Sequence, residues 1–210
     1  MKVGIQDNSL LYVLMAGGKG SRFNRGLNEF PEIKAFANGE LLEGVDTLDY
    51  AIKQLVPVGP WDKPSDLMDT EIRNQTGTFL DVLILDTLNA AESNQVHMSL
   101  VVGEETRELF TRYLLRSFPD ADIKGDIINL IPERGNLFNG SGNPVSVGFA
   151  HQERYDWREK PLGTVDAFLA ACTQDEMIRK AIEREIPIGV CNGDDRYGPD
   201  VWEEVLLRSE

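Results

Sequence analysis

The sequence predicts an α/β protein built on a mostly parallel sheet. Three observations lead there. Short apolar runs alternate with helical patterns along the chain. The first apolar run ends in a glycine-rich loop, and the last ends in an acidic turn. In open α/β sheets ligands bind at the carboxyl ends of the strands, so both features are expected on that one edge.

The elements follow in order. Residues 10–15 (LLYVLM) form an unbroken apolar run, as a strand buried on both faces requires. A helix is expected over about 45–56. Residues 57–77 are polar and carry three prolines, which predicts an insertion or long loop within a single domain spanning 1–210. A helix over 78–92 leads to a strand at 97–102 (HMSLVV), where His97 sits in an alternating pattern and is expected to be structural. A helix over 104–117 follows, then strands at 126–131 (DIINLI) and 145–150 (VSVGFA). A helix over 164–184 is expected to break near Thr173. The strand at 186–191 (IPIGVC) and a helix over 199–207 complete the pattern.

Composition sets the class of partner. Of the 210 residues 41% are hydrophobic, enough for a full core. A net charge of −14 argues against nucleic acid or an anionic membrane as partner. A local basic pocket survives that argument, since Lys19, Arg22, Arg25 and Lys34 cluster in sequence near the first loop. Cys172 and Cys191 stand in apolar settings and are expected as buried thiols rather than a disulfide or metal pair. The run 10–16 is too short to span a bilayer, and a cytoplasmic location is expected.

Three motifs carry chemistry. After the first strand comes Ala16-Gly17-Gly18-Lys19-Gly20-Ser21-Arg22. Glycines let the backbone approach a ligand, successive N–H groups cradle a phosphate, and Lys19 and Arg22 add positive charge. The spelling is neither a Walker loop nor a dinucleotide fingerprint, because no Gly-Lys-Ser/Thr follows and Phe23 stands where a third Gly belongs. The bland alternative is a Gly-rich turn with solvated cations. Second, Gln152 ends a strand and offers both a donor and an acceptor, which suits reading a base or simply meeting solvent. Gly163 and Thr164 open an apolar helix, where free N–H groups could bind a base edge or an anion, or Thr164 could merely cap the helix. Third, Asp194 and Asp195 follow the last strand in Cys191-Asn-Gly-Asp-Asp-Arg-Tyr-Gly198. Such carboxylates suit Mg²⁺, although Asn, Gly and Asp also form turns. Adjacent side chains diverge in extended geometry, so one of the two is expected to bind metal directly.

Together these marks resemble the sugar-phosphate nucleotidyltransferases, the NDP-sugar pyrophosphorylases. Ala16-Gly-Gly-Lys-Gly-Ser-Arg-Phe23 is similar to their AGGxGTRL loop. It lies closest to a bacterial branch with a MAAGMGSRFGGLKQ opening, a QE…REKPWGTGHAVLAA stretch and an INADDYYG stretch. This chain has Gln152-Glu153, Arg158-Glu-Lys-Pro-Leu-Gly-Thr-Val-Asp-Ala-Phe-Leu-Ala-Ala171 and the Asp194 motif in the same order. The resemblance covers most of the chain, with 57–96 poorly matched. It implies a Rossmann-like, three-layer (GT-A-like) fold with a mostly parallel central sheet. It implies Mg²⁺-dependent joining of an NTP and a sugar-1-phosphate to give an NDP-sugar and pyrophosphate. By the same resemblance Ala16–Ser21 wrap the nucleotide phosphates and Arg22 stabilises their charge. Gln152, Gly163 and Thr164 contact the base, and Asp194 holds Mg²⁺ with Asp195 beside it.

Two departures bear on this expectation. The family places a lysine after the loop, as PK or LKQ. Here Pro31-Glu-Ile-Lys34 supplies Lys34 with two residues inserted, whereas aligning Gly26-Leu27 with the LKQ branch puts Asn28 at the lysine. Lys34 is the favoured reading. Second, only 16 residues follow Asp194, whereas the family continues with strands that hold the sugar phosphate. A non-catalytic nucleotide-binding module or a truncated fragment is therefore the first alternative. A glycosyltransferase using a finished nucleotide sugar is the second. An incomplete sheet would also leave an edge that invites pairing with a second copy.

Overall fold

The computed structural model describes residues 9–18, 21–31, 52–56, 58, 77–91, 95–131, 145–152 and 163–193. The chain there runs β1 (Leu10–Met15), α1 (Ser21–Leu27), one 3-10 turn (Lys53–Leu55), α2 (Phe79–Ala91), β2 (Val96–Val102) and α3 (Glu104–Ser117). It continues with β3 (Asp122–Lys124), β4 (Ile127–Leu130), β5 (Val145–His151), α4 (Thr164–Gln174), α5 (Glu176–Glu183) and β6 (Gly189–Asn192).

These strands form one sheet in the order β3-β4-β5-β2-β1-β6. β5, β2, β1 and β6 are parallel, while β4 pairs antiparallel with β5 and β3 with β4. From β1 the sheet grows through β2 to β5 on one side, and β6 then returns to the other side of β1. The direction of growth thus reverses between β1 and β6, and such a reversal opens a crevice at the carboxyl edge.

Alternation along each strand divides the core into two. Leu10, Tyr12 and Leu14 join Met98, Leu100 and Val147 under Leu80 and Ile84 of α2 and Phe110 and Leu114 of α3. Leu11, Val13, Val101 and Ala150 face the other way, against Ala167 and Ala171 of α4 and Met177, Ile178 and Ala181 of α5. Helices therefore cover both faces, which is why β1 is apolar at every position. Each fully buried Leu or Ile contributes about 2 kcal/mol. Among the described residues no helix is long and apolar enough to cross a membrane.

The second face also holds a buried polar chain. His97 bonds Ser146 through Nδ1 at 2.8 Å and Asp175 through Nε2 at 3.0 Å. Asp175 accepts from the N–H groups of Met177 and Ile178 and so caps α5. Burial pushes the Asp175 carboxyl up, but the hydrogen bond and charge of His97, with the backbone bond from Ile178, outweigh it and hold it below the ordinary value. All three side chains are buried, so this Ser–His–Asp series ties helix to sheet and is out of reach of a substrate. The structural reading of His97 holds.

Several boundaries differ from the expectation. The helix break expected near Thr173 is present and falls at Asp175, whose side chain caps the next helix. The Thr173 hydroxyl instead bonds back to Leu169 O and Ala170 O within α4. Strand pairing in the last run begins at Gly189 rather than Ile186, and Pro187, which lacks an N–H, stands in the unpaired lead. β4 is antiparallel, joined to β3 by the two-residue turn Gly125-Asp126, where Gly125 takes a φ of 65°. Of the helix expected over 45–56, the described residues contain only the 3-10 turn. Val58 N donates to Gly77 O at 2.8 Å, which brings the two ends of the 57–77 excursion together. The helix expected over 199–207 lies outside the described residues. Cys172 and Cys191 are both free thiols.

Candidate functional site

The parallel register aligns four strand ends. Met15 of β1 stands opposite Val101 of β2 and Asn192 of β6, and Val102 stands opposite His151 of β5. Three backbone bonds carry this alignment just past the strands. Ala16 N donates to Val101 O, Gln152 N to Val102 O, and Gly193 N to Met15 O. The first loop, the Gln152 segment and the chain leading to Asp194 therefore leave the sheet at one edge.

Ala16 and Gly17 are buried and Gly18 is exposed. A Cβ on Gly17 would stand 3.2 Å from Gln152 Oε1 and 3.6 Å from Gly103 N, so glycine is what lets the first loop nest against β5 and the start of α3. A Cβ on Gly18 would meet nothing within 4 Å among the described residues. Ser21 opens α1 and Arg22 follows it. The side chains of Ser21 and Arg22, and the residues Lys19, Gly20, Lys34, Asp194 and Asp195, lie outside the described residues.

Gln152 is 4% exposed and reaches across to α4. Its Nε2 donates to Gly163 O at 2.9 Å and to Asp166 Oδ2 at 3.1 Å. Gly163 is the N-cap of α4 with a φ of 110°, a conformation that favours glycine, and it makes no side-chain cap. Thr164 is exposed at the first helical position. The capping alternative for Thr164 is thereby overturned, since the cap position belongs to Gly163. The first-turn N–H groups of α4 face no helical acceptor by construction. Gly17, Gln152, Gly163 and Thr164 are thus brought together, and Asp166 joins them unannounced.

Gln54 is the other residue that sequence reasoning missed. It lies in the 3-10 turn, is 5% exposed, and packs under Gly193, where a Cβ would stand 2.7 Å from Gln54 Nε2. Its Oε1 is buried without a hydrogen-bond partner among the described residues. No sequence signal marked it: a glutamine between Lys53 and Leu55 reads as part of the helix expected over 45–56.

Among the described residues no group of three or more His, Cys, Asp or Glu could hold a metal ion. The carboxylates expected to do so follow directly after Gly193, whose N–H is anchored on Met15 O at 3.1 Å beside the first loop. No family model, no curated protein and no solved structure matches this chain.

Proposed function

We propose that the chain is a nucleotidyltransferase that joins an NTP and a sugar-1-phosphate, releasing pyrophosphate. The observation that carries this reading is the convergence at one edge. The β1 loop, Gln152 with Gly163 and Thr164, and the strand end preceding Asp194 leave the sheet together, at the reversal between β1 and β6. The strand order and the helices on both faces support a Rossmann-like, three-layer fold of the GT-A-like type.

In this reading the backbone from Ala16 to Ser21 binds the triphosphate, and Gln152, Gly163 and Thr164 hold the base. The nucleophile is a phosphate oxygen of the sugar-1-phosphate, already an anion, so no general base is required. It attacks the α-phosphorus, and the bond to the pyrophosphate oxygen breaks. The protein's work is in-line positioning and neutralisation of charge by Arg22 and a lysine. Lys34, the lysine that the resemblance favours, is the candidate for that role. Asp194, with Asp195 beside it, would hold Mg²⁺, which supplies Lewis-acid stabilisation of phosphate charge.

Pyrophosphate release from each NTP with a panel of sugar-1-phosphates tests the proposal. Arg22→Ala is expected to slow turnover on the order of 10²–10³-fold, with a smaller effect on NTP binding. Asp194→Ala is expected to abolish the Mg²⁺-dependent rate. Triphosphate binding without turnover would favour the non-catalytic module instead.

A further inference from the structure

The buried His97 ring has hydrogen-bond partners ready for either of its charge states. Nε2 lies 3.1 Å and 3.0 Å from the two oxygens of Asp175, and a carboxylate only accepts, so Nε2 carries a hydrogen. Nδ1 is 2.8 Å from Ser146 Oγ, and that oxygen is also 3.3 Å from Val96 O. A hydroxyl has one hydrogen and can turn it either way. With His97 neutral, Ser146 donates to Nδ1. With His97 charged, Nδ1 donates to Ser146, whose own hydrogen turns to Val96 O. The ring nitrogens keep their partners in both states, and only a hydroxyl rotates.

Asp175 holds the joint between two helices. Its Oδ1 accepts from Met177 N at 2.9 Å and Ile178 N at 3.4 Å, and its own N–H donates to Ala171 O at 3.0 Å. It therefore closes α4 and opens α5. Its carboxyl lies below the ordinary value despite burial, so it stays charged through about pH 5 to 8, the range in which histidine changes charge. A buried anion is costly without an opposite charge. The neighbours of His97 on this face are Leu11 of β1, Ser99 of β2, and Ser146 and Gly148 of β5, none of them charged. On α5, Glu176, Arg179 and Glu183 are exposed, and Lys180 pairs with Glu176. Asp166 of α4 bonds Gln152 at the far end of its helix. The charge that answers Asp175 is thus the one His97 gains. We propose that His97, Ser146 and Asp175 form a proton-responsive clasp, which holds the α4–α5 joint to the sheet more tightly with His97 charged than with His97 neutral. Its contribution is complete while the ring holds its second proton and is lost as pH rises through the ring's titration. The clasp does not depend on the nucleotide reading above.

Amide hydrogen exchange at about pH 5.5 and about pH 8, corrected for the intrinsic pH dependence of exchange, tests the clasp on the full chain. In the wild type, protection at Asp175, Met177 and Ile178 is expected to be roughly tenfold greater at the lower pH, on the order of what one displaced titration confers. His97→Gln keeps a donor toward Asp175 but does not titrate, so the difference is expected to vanish there. The ring nitrogens of His97, one of only two histidines in the chain, are followed by NMR in the same wild-type protein. Nδ1 is expected to lose its proton as pH rises while Nε2 keeps its own, with protection falling in step. Equal wild-type protection at the two pH values would overturn the proposal. So would an undiminished difference in His97→Gln, which would assign the effect to another group. Should the glutamine variant fail to fold, the wild-type ring decides: a ring that keeps one protonation state throughout, or a change in protection that does not follow its titration, rejects the clasp.

Discussion

At the scale of single residues, close approach explains more than residue type. Gly148 lies in the middle of β5, where a Cβ would stand 2.1 Å from Asp175 Oδ2 and 3.2 Å from His97 Cε1. The carboxylate cannot yield, because it is held by His97 and by two N–H groups of α5. Gly148→Ala is therefore expected to lower stability by about 3 kcal/mol, from overpacking and a disturbed buried pair, as measured by denaturant unfolding. Loss of under about 0.5 kcal/mol, the ordinary range for a harmless substitution, would contradict that account. The sequence showed the alternation of β5 but not this glycine's purpose, since Asp175 is remote in the chain and only the fold brings it near. Gln152 was legible as a polar residue at a strand end. Its amide orientation was not, because Asp166 reads as one more acidic residue in the first turn of a helix.

At the scale of elements, ends are set by particular side chains. α5 begins where Asp175 caps it and ends at Glu183, and Glu185, just past the cap Arg184, takes a φ of 59°. Ile186 N returns to Ala181 O at 2.9 Å, closing the helix through a left-handed residue. A non-glycine side chain is strained there, so Glu185→Gly is expected to raise stability by about 1 kcal/mol after the entropy that glycine costs. A fall in the unfolding midpoint would count against the strain. The same locality explains which boundaries were readable. The starts and stops of α2 and α3 follow from periodicity, and α3 was anticipated at 104–117. β6 was misplaced because Ile186, Pro187 and Ile188 look like strand by hydropathy, while the pairing register with β1 starts only at Gly189. α1 carries no strong periodic signal, with Gly26 near its end. At its start, α2 hides an acid: burial raises the Asp81 carboxyl above its ordinary value despite hydrogen bonds from Tyr113 and Thr78.

At the scale of the whole molecule, charge and topology govern behaviour. Asp175 has a folded-state pKa below its ordinary value of 3.8. Its contribution to stability is then complete above the unfolded-state value and drains as pH falls through the lower, folded value. The chain is expected to lose stability below about pH 4, and Asp175→Asn to flatten that loss while lowering stability at neutral pH. An acid limb unchanged in the variant would assign the loss to other carboxylates. Topology matters more for function. The alternation of strand and helix was readable from hydropathy, whereas the order β3-β4-β5-β2-β1-β6 was not, because pairing partners are set by packing between distant segments. That order is what carries the β1 loop, Gln152 and the approach to Asp194 to a common edge. Hydrogen exchange with and without NTP and Mg²⁺ tests this central claim most directly. Protection is expected at Ala16–Gly18, Gln152 and the first turn of α4, with the core strands unchanged. Protection confined to any other region, or none at saturating nucleotide, would contradict it.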